Sequence, residues 1–284
     1  MDSQESNLGA IVSLKTSAYR LSRAETKGNG MNLTDFSITF PEGTELDQDK
    51  EYCVLESRNG GGDYKIRFHD YAKIYSIAGL YEELFYRKLR CCSPATVCSL
   101  LQRTVEEHGL NLKNLCVLEL GAGNGMVGEE LRNLGVVNIC GVDIEENANI
   151  AVKRDRPGVY CQYYIKDFTQ ISKSFRATLK EKSFNSLITV AALGFGDIPP
   201  HAFAEAFNLL STPAWVALNI KEEFLSVDDR SGFSMLVSKM IQDGIMDICA
   251  QQKYQHRLSL RGTPLHYIAL IGKKNKSIPD SWLF

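Results

Sequence analysis

The sequence predicts an α/β protein built on a mainly parallel β-sheet, and two observations lead to this fold class. From residue 111 onward, short apolar runs typical of buried strands alternate with segments whose apolar side chains recur at helical spacing. Repeated strand–helix units imply parallel strands that are connected by right-handed crossovers. The chain ends differently, because residues 245–258 and 266–272 have the pattern of two long strands with no helix between them. We therefore expect the sheet to end in an antiparallel hairpin.

Three regions are predicted along the chain. Residues 1–35 form a flexible N-terminal segment, residues 36–110 form a cap, and residues 111–284 form the main domain. In the cap, strands are predicted at residues 36–40, 52–55 and 64–68, with a glycine-rich hairpin turn between the last two. Two helices follow these strands, each marked by an apolar stripe. Ser93 and Pro94 are expected to cap the second helix, and Gly109 to end it.

The main domain is predicted to alternate strands and helices in the order of the chain. The first strand runs through residues 116–120 and is followed by a glycine-rich turn and a helix. Further strands are predicted at residues 139–144, 164–168, 184–192 and 214–220. Pro199 and Pro200 open one later helix, and Gly244 ends another.

Composition and charge exclude several classes of protein. The chain has 284 residues, of which 44% are hydrophobic, so it can bury a full core. Its net charge of −2 does not suit a nucleic-acid-binding surface. No apolar run approaches the ~18 residues that a membrane span needs, and the polar N-terminus lacks a signal-peptide core. We expect a cytoplasmic protein without a nucleic-acid or membrane partner, and the sequence does not predict its oligomeric state.

The eight cysteines predict neither disulfides nor a metal site. Cys91 and Cys92 are adjacent, and no C-x-x-C pair occurs. Cys116 and Cys140 lie within apolar strands, where a free cysteine behaves as a small hydrophobic residue. We therefore expect reduced thiols and no bound metal.

The most specific motif in the chain is the segment of residues 116–128. It predicts a buried strand that carries Glu119 near its end, a glycine-rich turn, and a helix. Asp143 follows Glu119 by 24 residues, at the end of the next predicted strand. The turn brings backbone without Cβ atoms close to a ligand, and a carboxylate at position 143 suits the two hydroxyl groups of a ribose. This arrangement predicts a nucleoside-cofactor site.

Two interpretations compete for the identity of that cofactor. A dinucleotide-binding turn needs G-x-G-x-x-G, which Gly123, Gly125 and Gly128 satisfy, with Asp143 following 20 residues after Gly123. Counted from Gly121 instead, the third glycine is replaced by Met126. The dinucleotide register also gives Glu119 no role.

The segment Glu119-Leu-Gly-Ala-Gly-Asn-Gly125 resembles motif I of the class I S-adenosylmethionine-dependent methyltransferases. Residues 141–144 resemble the second-strand motif of that family, and residues 164–168 resemble its third. Residues 184–192 and 214–220 correspond to the fourth and fifth strands. The resemblance covers roughly residues 110 to 274, and its three acids at consecutive strand ends are more specific than the glycines.

The resemblance implies a Rossmann-like, doubly wound sheet of seven strands that binds S-adenosylmethionine. It implies that Glu119 holds the methionine amino end, Asp143 the ribose, and Asp167 with Phe168 the adenine. The full set of cofactor-binding residues that it implies is Tyr71, Tyr75, Glu119, Gly121, Ala122, Gly123, Asn124, Gly125, Asp143, Ile144, Asp167, Phe168 and Ala191.

The tyrosine-rich segment of residues 69–86 is similar to the N-terminal cap of small-molecule methyltransferases. In that cap a motif of the type Y-D-x-x-A-x-x-Y folds over the methionine end of the cofactor, and the resemblance implies this role for Tyr71 and Tyr75. Ala72 replaces the expected acid.

The segment after the fourth strand, residues 193–201, should face the methyl group. It contains Pro199 and Pro200 but departs from the (D/N)-P-P-(Y/F) motif of methyltransferases that act on nucleobase amino groups. His201 is a candidate general base for a hydroxyl substrate, or else a solvated residue at a helix start. The tyrosine-rich cap favours an aromatic or apolar small molecule as the acceptor.

The sequence therefore predicts a methyltransferase that acts on an oxygen or nitrogen atom of a small molecule. Two other classes stay open. One is another nucleoside-cofactor enzyme, either an NAD-dependent oxidoreductase or an aminopropyl transferase, although Asn124 stands where the latter would carry an acid. The other is a non-catalytic partner protein with the same fold.

Overall fold

A computed structural model describes residues 31, 33–43, 46–226 and 228–282. Most of the predicted N-terminal segment, up to residue 30, lies outside the described residues. The cap begins with a three-stranded antiparallel sheet of β1 (Phe36–Thr39), β2 (Tyr52–Ser57) and β3 (Tyr64–Arg67). The predicted strands and the hairpin between the second and third are therefore confirmed.

The helical part of the cap differs from its predicted form. It consists of α1 (Tyr71–Ser76), a π-helix (Glu82–Lys88) and α2 (Ser93–Glu107). Helix α2 begins and ends as predicted, and Gly109 follows it with a φ of 74°. Ser93 does not cap the helix with its side chain, however, because its hydroxyl faces inward and bonds to Tyr254 and His256.

The main sheet has seven strands in the order β6-β5-β4-β7-β8-β10-β9. They are β4 (Cys116–Leu120), β5 (Asn138–Asp143), β6 (Gln162–Ile165), β7 (Ser186–Thr189), β8 (Ala214–Lys221), β9 (Met246–Leu258) and β10 (Pro264–Lys274). Strands β4 to β8 are parallel, and β10 pairs antiparallel with both β8 and β9. This confirms the predicted fold class, a doubly wound, mainly parallel sheet with a C-terminal antiparallel hairpin.

Helices cover both faces of this sheet. After α2 they are α3 (Met126–Asn133), α4 (Glu146–Asp155), α5 (Lys173–Glu181), α6 (Pro200–Asn208) and α7 (Phe233–Gln242). One buried cluster joins the sheet to α5, α6 and α7, and a second joins it to α2 and α3. Side chains of β4 alternate between the two, with Leu118 in the first and Val117 in the second. Helix α2 of the predicted cap is thus part of the core of the main domain.

The described residues contain no helix that is both long and apolar enough to cross a bilayer. All eight cysteines are free thiols. Within the same residues, histidine, cysteine and acidic side chains form no group of three or more that could hold a metal ion.

A buried lysine connects the end of β10 to the end of α6. The Lys274 ammonium donates hydrogen bonds of 2.9 Å to the carbonyl oxygens of Phe207 and Leu210. The side chain is fully buried. Burial, reinforced by Lys180, lowers the pKa of Lys274 from 10.5 to about 8.

We predict that Lys274→Met lowers the free energy of unfolding by about 1–3 kcal/mol at neutral pH, because two helix-end carbonyls lose their donor. Between about pH 8 and pH 10.5, Lys274 is largely deprotonated in the folded protein but still protonated in the unfolded chain. The free energy of unfolding of the wild-type protein should therefore contain a contribution that increases with pH across this window. The variant should lack this rise. Urea unfolding at several pH values, with the exposed Lys276→Met as control, measures both effects, and equal pH profiles would contradict them.

Candidate functional site

The carboxyl ends of β4, β5 and β6 meet at one edge of the sheet, where the turn between β4 and α3 closes against the cap. Gly121 and Gly123 both adopt positive φ, of 73° and 51°. A Cβ atom on Gly123 would lie 2.5 Å from the hydroxyl oxygen of Tyr75. The turn therefore needs glycine for its backbone conformation and also for the close approach of the cap.

A cavity of about 350 Å³ lies between this turn and the cap. The predicted site residues that line it are Tyr71, Tyr75, Glu119, Gly121, Ala122, Gly123, Asn124, Asp143, Ile144, Asp167, Phe168 and Ala191. The fold thus brings together residues that are far apart in the chain. Gly125 and His201 are not among the lining residues.

Glu119 is 1% exposed, and only one of its carboxyl oxygens is paired. The Tyr160 hydroxyl donates a 2.9 Å hydrogen bond to Oε2, whereas Oε1 is buried and has no partner among the described residues. Burial raises the pKa of Glu119 well above its usual 4.5, against the opposing effect of the Tyr160 hydrogen bond. An unpaired carboxyl oxygen beside a cavity is an acceptor for a donor or a cation that enters it.

The backbone holds Asp143 in position at the end of β5. The amide of Gly123 donates to Oδ2 at 2.8 Å, and the amide of Glu145 donates to Oδ1 at 2.9 Å. Burial raises the pKa of Asp143, and these amide hydrogen bonds oppose the rise. The first of them also ties the carboxylate to the glycine turn, so strand and turn place this acid together.

Asp167 and Phe168 follow β6 at the rim of the cavity. Asp167 Oδ1 accepts hydrogen bonds from the amide and the hydroxyl of Thr169, at 2.8 and 2.7 Å. Phe168 is buried in the cluster under α5 and α6. This short turn fixes the acid at the cavity edge beside an apolar wall.

The three glycines of the dinucleotide register do not act together. Gly123 lines the cavity, but Cβ atoms on Gly125 and Gly128 would meet side chains of the protein interior, including the ring of Tyr160. Gly128 packs closely on that ring, where a Cβ atom would lie 2.8 Å from it. Gly125 and Gly128 therefore allow side chains of the protein to pack closely beneath the turn, and they do not make room for a ligand.

The cavity is strongly acidic. Among the described residues its charged lining comprises Glu119, Asp143, Glu145, Asp167, Asp197 and a single lysine, Lys166. A cation that enters this cavity would favour the ionised forms of acids whose pKa is raised by burial. An anion would meet mostly like charge.

Asn124 has a structural role that its motif position did not reveal. Its side-chain amide donates 2.7 Å to Oε1 of Glu82, in the π-helix of the cap. Arg156 donates to the same Glu82 oxygen at 2.7 Å and to the Asn124 carbonyl at 3.1 Å. The glycine turn and the cap are thereby joined.

The loop after β7 is fixed by a buried chain of hydrogen bonds. Ala191, with a φ of 55°, donates its amide to Asn219 at 2.6 Å. Asn219 donates to Tyr254, which donates to Ser93. This chain links the loop beside the cavity to β8, β9 and the start of α2.

The histidine at the cavity is His69, which the sequence analysis did not single out. His201 lies in the first turn of α6, outside the lining of the cavity. His69 lines the cavity, and its Nδ1 lies 3.1 and 3.0 Å from the two carboxylate oxygens of Asp197. The two residues are 128 positions apart, so no local pattern could have paired them.

No protein-family model matches the chain, and no curated protein matches its sequence. Solved structures with a similar backbone include magnesium protoporphyrin IX methyltransferase from Synechocystis PCC 6803 with bound SAM, at 16% identity over 64% of this chain and 79% of that chain, with a TM-score of 0.43. An S-adenosylmethionine-dependent methyltransferase from Clostridium acetobutylicum is 11% identical over 69% of this chain and 97% of that chain, with a TM-score of 0.47. At this level of similarity, function has to follow from the residues of the site itself.

We predict that Glu119→Gln removes a loss of stability that the wild-type protein shows as the pH rises above the usual pKa of a glutamate. The folded wild-type protein retains the Glu119 proton at pH values where the unfolded chain has lost it, so its free energy of unfolding falls as pH rises above about 4.5. The variant lacks this fall, so its stability relative to wild type should increase as the pH rises from about 5 toward neutral. Thermal unfolding across this range measures the difference. The exposed Glu106→Gln is the control, and a difference that does not depend on pH would contradict the prediction.

Proposed function

We propose that this protein is an S-adenosylmethionine-dependent methyltransferase that acts on an oxygen or nitrogen atom of a small molecule. The observation that carries the proposal is the acidic cavity over the glycine turn, at the carboxyl ends of β4, β5 and β6. S-adenosylmethionine carries a sulfonium, an ammonium and one carboxylate group, so its net charge is positive. Five carboxyl groups line the cavity against one lysine, and a bound cation would favour the ionised forms of those whose pKa burial raises, so the cavity suits such a ligand electrostatically.

The residues present fit the parts of this cofactor. The unpaired Oε1 of Glu119 offers an acceptor for the ammonium end. Asp143, held by two backbone amides, has a lone pair left on each oxygen for the ribose hydroxyls. Asp167 and Phe168 supply an acceptor and an apolar wall for the adenine.

The cap would complete the cofactor site from above. Tyr71 and Tyr75 stack with ring centroids 6.0 Å apart over the glycine turn, where they would cover the methionine end. Ala122, Asn124, Ile144 and Ala191 also line the cavity, and Gly125 shapes the turn from outside it.

When bound, S-adenosylmethionine supplies a methyl group that its sulfonium already activates. The task left to the protein is to align the acceptor atom with that methyl group and to keep water away from both. The buried Tyr75, the half-buried Tyr71 and the fixed loop after β7 suit this task, because packing and hydrogen bonds hold them around the cavity.

NAD is the main competing ligand, and two features of the site disfavour it. The pyrophosphate would enter an acidic cavity with a single lysine. Gly125 and Gly128, which the dinucleotide register needs beside the ligand, pack against Arg156, Val159 and Tyr160 instead. A partner protein without a ligand is also disfavoured, because the buried Glu119 Oε1 would then have no hydrogen-bond donor to offset the cost of its burial.

We predict that the protein binds S-adenosylmethionine and S-adenosylhomocysteine and that Asp143→Asn weakens both by about 10- to 100-fold, the effect of losing a hydrogen-bonded charge. Isothermal titration calorimetry with the two ligands and with NAD makes the measurement. Asp243→Asn, at an exposed position after α7, is the matched control and should bind like wild type.

Three other outcomes would contradict the proposal. Binding of NAD in place of the adenosyl ligands would make the protein a dinucleotide enzyme. Binding of decarboxylated S-adenosylmethionine in preference to the intact cofactor would indicate an aminopropyl transferase. Binding of none of them would favour a partner protein that only shares the fold.

A further inference from the structure

A second cavity, of about 50 Å³, lies beside the proposed cofactor site. Five residues line both cavities, namely His69, Tyr71, Tyr81, Ala191 and Asp197. These shared residues form the boundary at which a molecule in the second cavity would meet the methyl group. The volume has room for roughly four atoms of the size of a water molecule, so it suits a small group or one edge of a ring.

The walls of the second cavity are largely aromatic and carry little net charge. Phe68, Phe85, Phe195 and Tyr267 contribute rings to it. Arg257 also lines it, but its guanidinium is paired with the buried carboxylate of Glu51. Burial and the neighbouring Arg257 lower the pKa of His256 to about 3, so that imidazole is neutral. Such walls favour a neutral, aromatic occupant.

One polar atom in this cavity has no partner. Gln48 lines the cavity and donates from Nε2 to the Tyr267 hydroxyl at 2.7 Å. Its Oε1 is buried and has no hydrogen bond within the described part of the chain. The atom is an acceptor, so it suits an occupant that brings an O–H or N–H donor.

The third feature is the His69–Asp197 pair at the boundary. The Asp197 carboxylate accepts from Nδ1 of His69, which assigns the proton to Nδ1 and leaves a lone pair on Nε2. Nε2 has no hydrogen-bond partner among the described residues. The ring is held between Tyr71 and Phe195, with centroids 5.8 and 5.7 Å away. A fixed imidazole with a free lone pair, next to a carboxylate, is the arrangement of a general base.

We infer that the methyl acceptor is a small, neutral aromatic molecule with an O–H or N–H group, that the second cavity binds one edge of its ring, and that His69 is the catalytic base that removes its proton. This inference rests on the proposed function. The acceptor proton moves to Nε2 of His69, and the Asp197 carboxylate stabilises the imidazolium that forms. The acceptor atom forms its bond to the methyl carbon while the bond from that carbon to sulfur breaks, and the electron pair of the broken bond stays on sulfur. His69 then releases its proton to water.

Phenol tests this inference in the full-length protein, because it is a small neutral ring with one O–H group. We expect the wild-type protein to methylate phenol with S-adenosylmethionine, as measured by the formation of anisole and S-adenosylhomocysteine. In the presence of S-adenosylhomocysteine, phenol should bind about 10-fold more tightly than toluene, which has the same ring without a donor.

His69→Gln separates a catalytic role from a structural one. The variant should bind S-adenosylhomocysteine within about 2-fold of wild type and lose about 100-fold or more in phenol turnover, as expected for a lost general base. Thiophenol is already ionised at about pH 8, where phenol keeps its proton, so its methylation should fall by less than about 10-fold in the same variant. His266→Gln, at an exposed position on β10, is the control.

The outcomes distinguish the inference from the proposed function. If wild type binds S-adenosylmethionine but neither binds nor methylates phenol, the inference is overturned and the proposed function stands. The role of His69 is overturned if His69→Gln lowers phenol and thiophenol turnover equally, or if the loss follows His201→Gln instead. If S-adenosylmethionine does not bind, both proposals fail.

Discussion

Arg156 is 7% exposed, and its guanidinium donates hydrogen bonds to three separate parts of the structure. It bonds to Glu129 of α3 at 2.9 Å, to Glu82 of the cap at 2.7 Å, and to the backbone carbonyl of Asn124 in the glycine turn at 3.1 Å. Breaking a buried pair of this kind by removing one partner costs about 3–5 kcal/mol, because a charge is left without a counterion. Arg156 therefore contacts the glycine turn, the cap and helix α3 at once and helps to fix them relative to one another.

The two cavities depend on different contacts of the cap. The first lies between the turn and α1, so it needs the cap at a defined height above Gly123. The second lies between the cap and the C-terminal hairpin, where Arg257 of β9 pairs with Glu51 and Tyr267 of β10 bonds to Gln48. The antiparallel hairpin thus extends the site beyond the parallel strands, and it does so on the side away from the glycine turn.

The sequence predicted the strands well because burial imposes a strong pattern on them. Runs such as residues 116–120 are apolar on both faces, and the acids Glu119 and Asp143 stand out against that background. The apolar stripe of Leu80, Leu84, Phe85 and Leu89 predicts one helix, but the spacing of side chains does not distinguish a π-helix from an α-helix, and the separate α1 lies before the stripe. Helix α5 carries only one fully buried apolar residue, Leu179, which explains why it gave no signal.

The parts of the site that depend on distant pairing could not be predicted at all. His69 and Asp197 each lie in a segment that the sequence connects with the site, but the segments belong to different domains of the predicted organisation, so no local pattern pairs the two residues. The motif position of Asn124 does not indicate its side-chain contact, which is with Glu82 in the cap. The sequence predicts Ser93 as a helix cap, whereas its hydroxyl belongs to the series of hydrogen bonds that reaches Ala191. In each case the partner is supplied by tertiary structure.

The close approach of Tyr75 to Gly123 has an evolutionary consequence. A methyl group at position 123 would lie 2.5 Å from the phenolic oxygen, and the φ of 51° adds a backbone cost of about 1–2 kcal/mol for any other residue. A lineage that lost the glycine would have to shorten the residue at 75 as well, and would open a gap over the turn. Related chains should therefore either keep both residues or replace both, so the joint identity of positions 75 and 123 would separate chains with this closed cap from those without it.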